Sequence, residues 1–234
     1  MFDAVRIERE SANVADEVLQ EDVVFSSPTG PAVFALGCSA NGWTAWKTDN
    51  GEAIGIKLEL INASCADQTV DVVVNAANDG LWAGGGICGV IFSKAGRAEL
   101  TEACSKYKTP LNDGDAVITP AFKMTNAKAI IHAVGPNFAV APTAFKELFD
   151  AYYNSLVVLK DNGYHSISFP LISSGIFGGS LDNPVAESTK QCLRAYKKFT
   201  ADHPEYEIDV KLCAFTASEM REAEDEYEAF KQAN

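Results

Sequence analysis

The chain has 234 residues, 47% of them hydrophobic, and a formal net charge of −13. That length and apolar content suit one good-sized domain with its own core plus an appendage. The negative charge argues against sequence-independent binding to long nucleic acid or to an anionic membrane, since both need a basic face. Any anionic ligand must therefore be held by local dipoles.

Six cysteines, Cys38, Cys65, Cys88, Cys104, Cys192 and Cys213, form no C-x-x-C pair, and His132, His165 and His203 do not cluster with them. This pattern predicts reduced thiols in a cytoplasmic protein and no metal site. No apolar run approaches membrane-spanning length, and residues 1–10 carry charges where a secretory leader would be apolar.

Residues 1–53 differ from the rest and are expected to form a small α+β appendage, with residues 54–234 as the main domain. Within the appendage, residues 11–21 are expected as a short helix and Val23-Val24-Phe25 as a strand, followed by a turn over residues 26–30. A helix is expected to begin within residues 31–36. Gly42-Trp43-Thr44-Ala45-Trp46-Lys47 before Asp49-Asn50-Gly51 predicts a strand entering a hairpin, with both tryptophans in the appendage core.

From Ile56 onward, strands alternate with helices. Strands are predicted over residues 56–61, 70–74, 116–119, 129–134, 166–171 and 208–215. Helices are predicted over residues 90–95 and 98–107, broken at Gly96, and over the amphipathic stretch 143–159, which stops at Asp161-Asn162-Gly163. Asn183-Pro184 caps a helix running to about Phe199, and Thr216 to Glu219 is a capping box for an acidic last helix. The alternation predicts a three-layer α/β/α sandwich with a mixed, mainly parallel sheet.

The stretch most suggestive of chemistry follows Val72-Val73-Val74: a polar turn, Asn75-Ala76-Ala77-Asn78, then Gly84-Gly85-Gly86, Ile87 and Cys88 ahead of a helix. A strand, a glycine-rich loop and a helix N-terminus in that order let backbone N–H groups approach an anion. No Lys-Ser/Thr follows the last glycine, and the six-residue dinucleotide fingerprint is absent. A second small-residue loop, Ser173-Ser174-Gly175-Ile176-Phe177-Gly178, follows the strand ending at Leu171. Two such loops beyond strand carboxyl ends could enclose a diphosphate through backbone N–H groups alone.

The order of valine strand, Asn-Ala-Ala-Asn and triple glycine resembles the macrodomain family, as do the second loop and His132-Ala133-Val134-Gly135-Pro136. Residues 21–54, with Phe-Ser-Ser-Pro and Gly-Trp-Thr-x-Trp-Lys, are similar to a small bacterial domain of unknown function that occurs beside catalytic units. The macrodomain resemblance implies ADP-ribose or ADP-ribosylated protein as partner, with neither metal nor redox cofactor. It places Asn75 on the distal ribose, Asn78 in shaping the loop, both glycine loops on the diphosphate, Phe177 against the ribose and Phe215 on adenine. Core filling is the alternative for each phenylalanine, and His132 is expected to be a core histidine.

Two departures from the family pattern stand out. Ala63-Ser64-Cys65 replaces Gly-Asp-Ile, whose Asp the resemblance places on the adenine amino group, so Ser64 could accept that bond only without a charge, and Cys88 replaces an Asp implied to activate water. Cys88 at a helix N-terminus could act as base or nucleophile, or be loop packing, and Asp79 is a candidate substitute carboxylate. The activity implied is hydrolysis of ADP-ribosyl esters, including O-acetyl-ADP-ribose. The alternatives are a non-catalytic ADP-ribose module and a binder of another nucleotide, such as an RNA terminus.

Overall fold

The computed structural model describes residues 58–233, together with the backbone of two short strands, β1 (Val14–Ala15) and β2 (Val18–Leu19). The chain divides into two units, Met1–Lys57 and Leu58–Asn234. In the first, β1 and β2 pair antiparallel, Val14 with Leu19 and Ala15 with Val18. This corrects the helix expected over residues 11–21, since β-branched Val14 and Val18 favour extended backbone. The strand at Val23, the turn at 26–30, the helix within 31–36, the hairpin and the placement of Trp43 and Trp46 lie outside the described residues.

The second unit is built on a six-stranded sheet. Its strands are β3 (Leu58–Asn62), β4 (Val72–Ala77), β5 (Ala116–Pro120), β6 (Ala129–Val134), β7 (Ser166–Pro170) and β8 (Asp209–Ala214), in the spatial order β3-β8-β7-β4-β6-β5. All neighbours are parallel except β5 against β6. Five helices accompany it: α1 (Gly86–Ala95), α2 (Arg97–Cys104), α3 (Phe145–Asp161), α4 (Pro184–Asp202) and α5 (Ala217–Gln232). The α/β class and mainly parallel sheet match the sequence reading, and no described helix is long and apolar enough to cross a membrane.

Both faces of the sheet are covered, which is why its central strands are apolar on both sides. Val73 and Ala77 of β4 pack with Ile91 and Phe92 of α1 and Leu100 of α2. The other helices lie together, α3 against α4 and α4 against α5. Several caps are those read from the sequence: Asn183 accepts the Ala186 N–H at 2.9 Å, and Thr216 and Glu219 form the reciprocal box opening α5. Gly96, at φ +94°, separates α1 from α2.

One feature of the ladder bears directly on the site. β4 pairs with β6 from Val72 through Ala77, but with β7 only at Val72 and Val73. The two strands therefore part company toward their carboxyl ends, where parallel sheets leave a crevice for ligands. Both glycine loops start there.

Candidate functional site

The loop after β7 is fixed from below. Tyr152 of α3 and Ser188 of α4 are fully buried and close a ring on Ile172: its N–H donates to the Tyr152 hydroxyl at 2.8 Å, Tyr152 donates to Ser188 at 2.7 Å, and Ser188 donates to the Ile172 carbonyl at 2.6 Å. Burial pushes the Tyr152 phenol well above its ordinary value, so it stays a neutral hydroxyl. The hydroxyls of the two serines are engaged internally, Ser173 donating to the Pro136 carbonyl at 2.7 Å and Ser174 to Leu171 at 2.8 Å, so this loop would meet a ligand through its backbone. A Cβ on Gly135 would lie 2.3 Å from Ile172 Cγ2, so only glycine lets the β6 loop pass beneath this one.

Gly175, Ile176 and Phe177 then turn their backbone outward. Gly175 caps a short 3-10 turn (Ile176–Gly178) without any side-chain hydrogen bond. Among the described residues, no protein acceptor takes the N–H of Gly175, Ile176 or Phe177. A Cβ on Gly175 would meet nothing within 4 Å. Ile176 is 93% exposed, while Phe177 is half-buried and its carbonyl accepts the Phe138 N–H at 2.8 Å.

The loop after β4 has the same character. Helix α1 starts at Gly86, four residues earlier than expected, and its cap Gly85 provides no side-chain bond, leaving the first-turn N–H groups of Gly86 and Ile87 free. Gly85 and Gly86 both border open space. No Lys or Arg occurs in residues 63–71, 77–88, 135–144, 171–183 or 215–216, the loops at this edge of the sheet. An anion here would be held by peptide dipoles, as the acidic composition requires.

Ahead of those glycines the chain is clamped. Asn78 donates from Nδ2 to the Trp82 carbonyl at 2.8 Å and accepts the Trp82 N–H on Oδ1 at 3.1 Å. Leu81 is buried at φ +57°, a conformation that costs a non-glycine residue about 1–3 kcal/mol. Cys88 is 4% exposed; its sulfur accepts the Gly84 N–H at 3.3 Å and its thiol donates to the Trp82 carbonyl at 3.7 Å. Asp79 is exposed, with its carbonyl on the Leu111 N–H.

At the ends of β3 and β8, Asn62 donates to the carbonyls of Ala214 at 2.8 Å and Phe215 at 3.3 Å, tying the two strand ends together. Phe215 itself is 72% exposed, not core filling. Ser64 is half-buried at the start of a 3-10 turn (Cys65–Asp67), with no capping bond from its hydroxyl. Cys65 is buried and donates to Val74, and burial holds its thiol well above the ordinary value; its side chain belongs to the core and not to the crevice.

Residues 74–189 match the family model described as Macro domain. The O-acetyl-ADP-ribose deacetylase of Escherichia fergusonii is 42% identical over 151 residues, 63% of this chain and 82% of that protein. The chain belongs to the macrodomain family. A solved macrodomain of Oceanobacillus iheyensis with ADP superposes at a TM-score of 0.68, with 29% identity over 76% of this chain and 93% of that one. Solved variants of that macrodomain substitute an asparagine, a glycine seven positions later and an aspartate three beyond it. A Trypanosoma brucei macrodomain solved with ADP is 26% identical, TM-score 0.64, over 73% of this chain and 68% of that one. Residues 10–55 match a domain of unknown function, DUF4357.

Within this macrodomain Asn75 is not the turn residue expected. It lies inside β4, opposite His132 of β6, because the ladder to β6 continues through Ala77. Its side chain is 1% exposed and donates from Nδ2 to His132 Nδ1 at 3.1 Å, while Oδ1 has no protein partner. With Nδ1 accepting, the His132 proton sits on Nε2 and is donated to Thr119 Oγ1 at 3.0 Å. Burial lowers the His132 pKa to about 4, so the ring is neutral, the core histidine expected.

Three residues of this arrangement were not singled out from the sequence: Trp82, Asn62 and Tyr152. Trp82 is 60% exposed at the rim, its ring lying over Gly80, where a Cβ would come within 2.1 Å of the indole. Its place between an Asn-Ala-Ala-Asn run and a triple glycine was the available signal.

Proposed function

We propose that this macrodomain binds ADP-ribose across the crevice between β4 and β7 and hydrolyses ADP-ribosyl esters, O-acetyl-ADP-ribose among them. The observation that carries the reading is the pair of uncapped turns, Gly85-Gly86-Ile87 and Gly175-Ile176-Phe177, whose unpaired N–H groups lie beyond adjacent parallel strands in loops that contain no Lys or Arg. They suit a diphosphate. Exposed Phe215 offers a face for a nucleobase and Ser64 a neutral hydroxyl for its edge. The names of the relatives support the same chemistry.

For the distal ribose we assign Asn78 ahead of Asn75. The Oceanobacillus spacing of asparagine, glycine and a third position falls here on Asn78, Gly85 and Cys88, whereas counting from Asn75 meets Trp82. Asn78 is also in the loop, while Asn75 is enclosed against His132. An amide suits sugar hydroxyls because it both donates and accepts, and each Asn78 end keeps capacity beyond its bond to Trp82. Phe177 packs the ribose from the second loop. Water adds across the ester, its oxygen going to the acyl carbon and a proton to the departing ribose oxygen. Positioning and the fixed N–H dipoles lower the barrier.

A second reading, a binding module without turnover, is favoured by the thiol at Cys88 where the family has a carboxylate. Release of ADP-ribose from O-acetyl-ADP-ribose beyond one equivalent of protein supports the enzyme; binding with release below one equivalent supports the module. An ADP-ribosylated protein would present the same group in the same crevice. The scattered cysteines suit a reducing cytoplasm. We take residues 54–234 as the working macrodomain and 1–53 as a separate domain, to be tested by whether a chain beginning at Ile54 stays folded and binds ADP-ribose.

A further inference from the structure

We propose that Cys88 is a positioning residue, the staple of a clamp that holds Asn78 through Trp82, and that its sulfur takes no part in bond making. The inference rests on the ribose role assigned to Asn78. Three side-chain hydrogen bonds converge on the backbone of one residue: Asn78 takes both the N–H and the carbonyl of Trp82, and Cys88 adds a second donor to that carbonyl. The same sulfur accepts the Gly84 N–H. Residues 78–84 are thus closed at both ends by one buried thiol and one amide, with the Trp82 ring laid over Gly80. At 4% exposure, with its proton on Trp82 and the Gly84 N–H on its sulfur, Cys88 is enclosed by the loop.

The chemistry explains why a thiol stands here. In this chain one atom both accepts from Gly84 and donates to Trp82, which a thiol or hydroxyl can do. An ionised carboxylate accepts only. An aspartate would keep the bond to Gly84 but turn an anionic oxygen toward the Trp82 carbonyl, pushing apart the segment that carries Asn78.

The test compares the full chain with C88S, C88A and C88D. In the ligand-free proteins, amide hydrogen exchange at Gly84 and Trp82, read by NMR, is expected to rise at least tenfold in C88A and C88D and to stay within threefold of the parent in C88S. Calorimetry with two ligands supplies the functional readout. C88A should bind ADP-ribose about tenfold more weakly while ADP, which lacks the distal ribose, binds as before; C88S should restore ADP-ribose affinity. Unchanged exchange in C88A, equal losses for ADP and ADP-ribose, or C88S as impaired as C88A would each overturn the clamp. If the parent chain fails to bind ADP-ribose, the ribose assignment and the positioning role fall together, and the exchange data alone decide whether the staple exists.

Discussion

Asn75 and Asn78 are three residues apart, chemically identical, and do opposite things. Asn75 sits within the strand, shut in against His132 with one amide oxygen unpartnered. Asn78 sits one residue past the strand end, its amide closing a loop whose later glycines, Gly85 and Gly86, border open space. The difference comes from the ladder: pairing to β6 lasts through Ala77, and the strand's side chains up to that point are buried, half-buried Ala76 apart. On the proposed reading, the polar side chain before the last rung supports the sheet and the one after it meets the ligand.

The sharpest way to break this contrast is N78A. It should lower turnover of O-acetyl-ADP-ribose by about 100-fold, the scale of a misplaced reacting group, with the melting temperature within a few degrees of the parent. If N78A turns over normally and N75A does not, the assignment is reversed. Gly175→Val comes next. Its side chain would enter space that no protein atom fills, so the fold should be unaffected while ADP-ribose binds at least tenfold more weakly, measured by calorimetry.

Asn75 should show the converse pattern. Asn75→Ala strips buried His132 Nδ1 of its donor, costing about 1–3 kcal/mol in denaturant unfolding while binding survives. His132 adds a pH signature. Its folded pKa of about 4 lies below the value of about 6.5 for an unfolded histidine, so the unfolded chain takes up the proton first as pH falls. Stability is whole above pH 6.5 and is lost between there and pH 4, by roughly 3 kcal/mol from this group. A double variant, Asn75→Leu with His132→Leu, should flatten unfolding free energy across that window. The smallest effect expected is for Phe215→Ala: about 1 kcal/mol of stacking, or roughly fivefold in ADP-ribose affinity, with no change in stability because the ring is exposed.

Much of the fold was legible because its signals are local. β6 spans the residues predicted, the Asn183-Pro184 cap and the Thr216 box form as read, and Gly96 breaks α1 from α2. The site was harder. Asn75-Ala76-Ala77 reads as a turn because asparagine is a turn former, and only the partner strand shows that it is sheet. Glycine's poor helix propensity hid the first turn of α1. The hydroxyls of Ser173 and Ser174 are taken by Pro136 and Leu171, the first 37 residues away in sequence, a pairing that no local pattern announces. Trp82 has no periodicity to announce it, and Tyr152 reaches Ile172, in the loop after β7, from helix α3.

The most direct test of the central claim is calorimetric titration of the full chain with ADP-ribose, AMP and ribose 5-phosphate. A diphosphate held between two backbone turns, with a base at one end and a ribose at the other, predicts binding of ADP-ribose at least tenfold tighter than either fragment, about 1.4 kcal/mol or more. AMP binding as tightly as ADP-ribose, or no binding of any of the three, would contradict it.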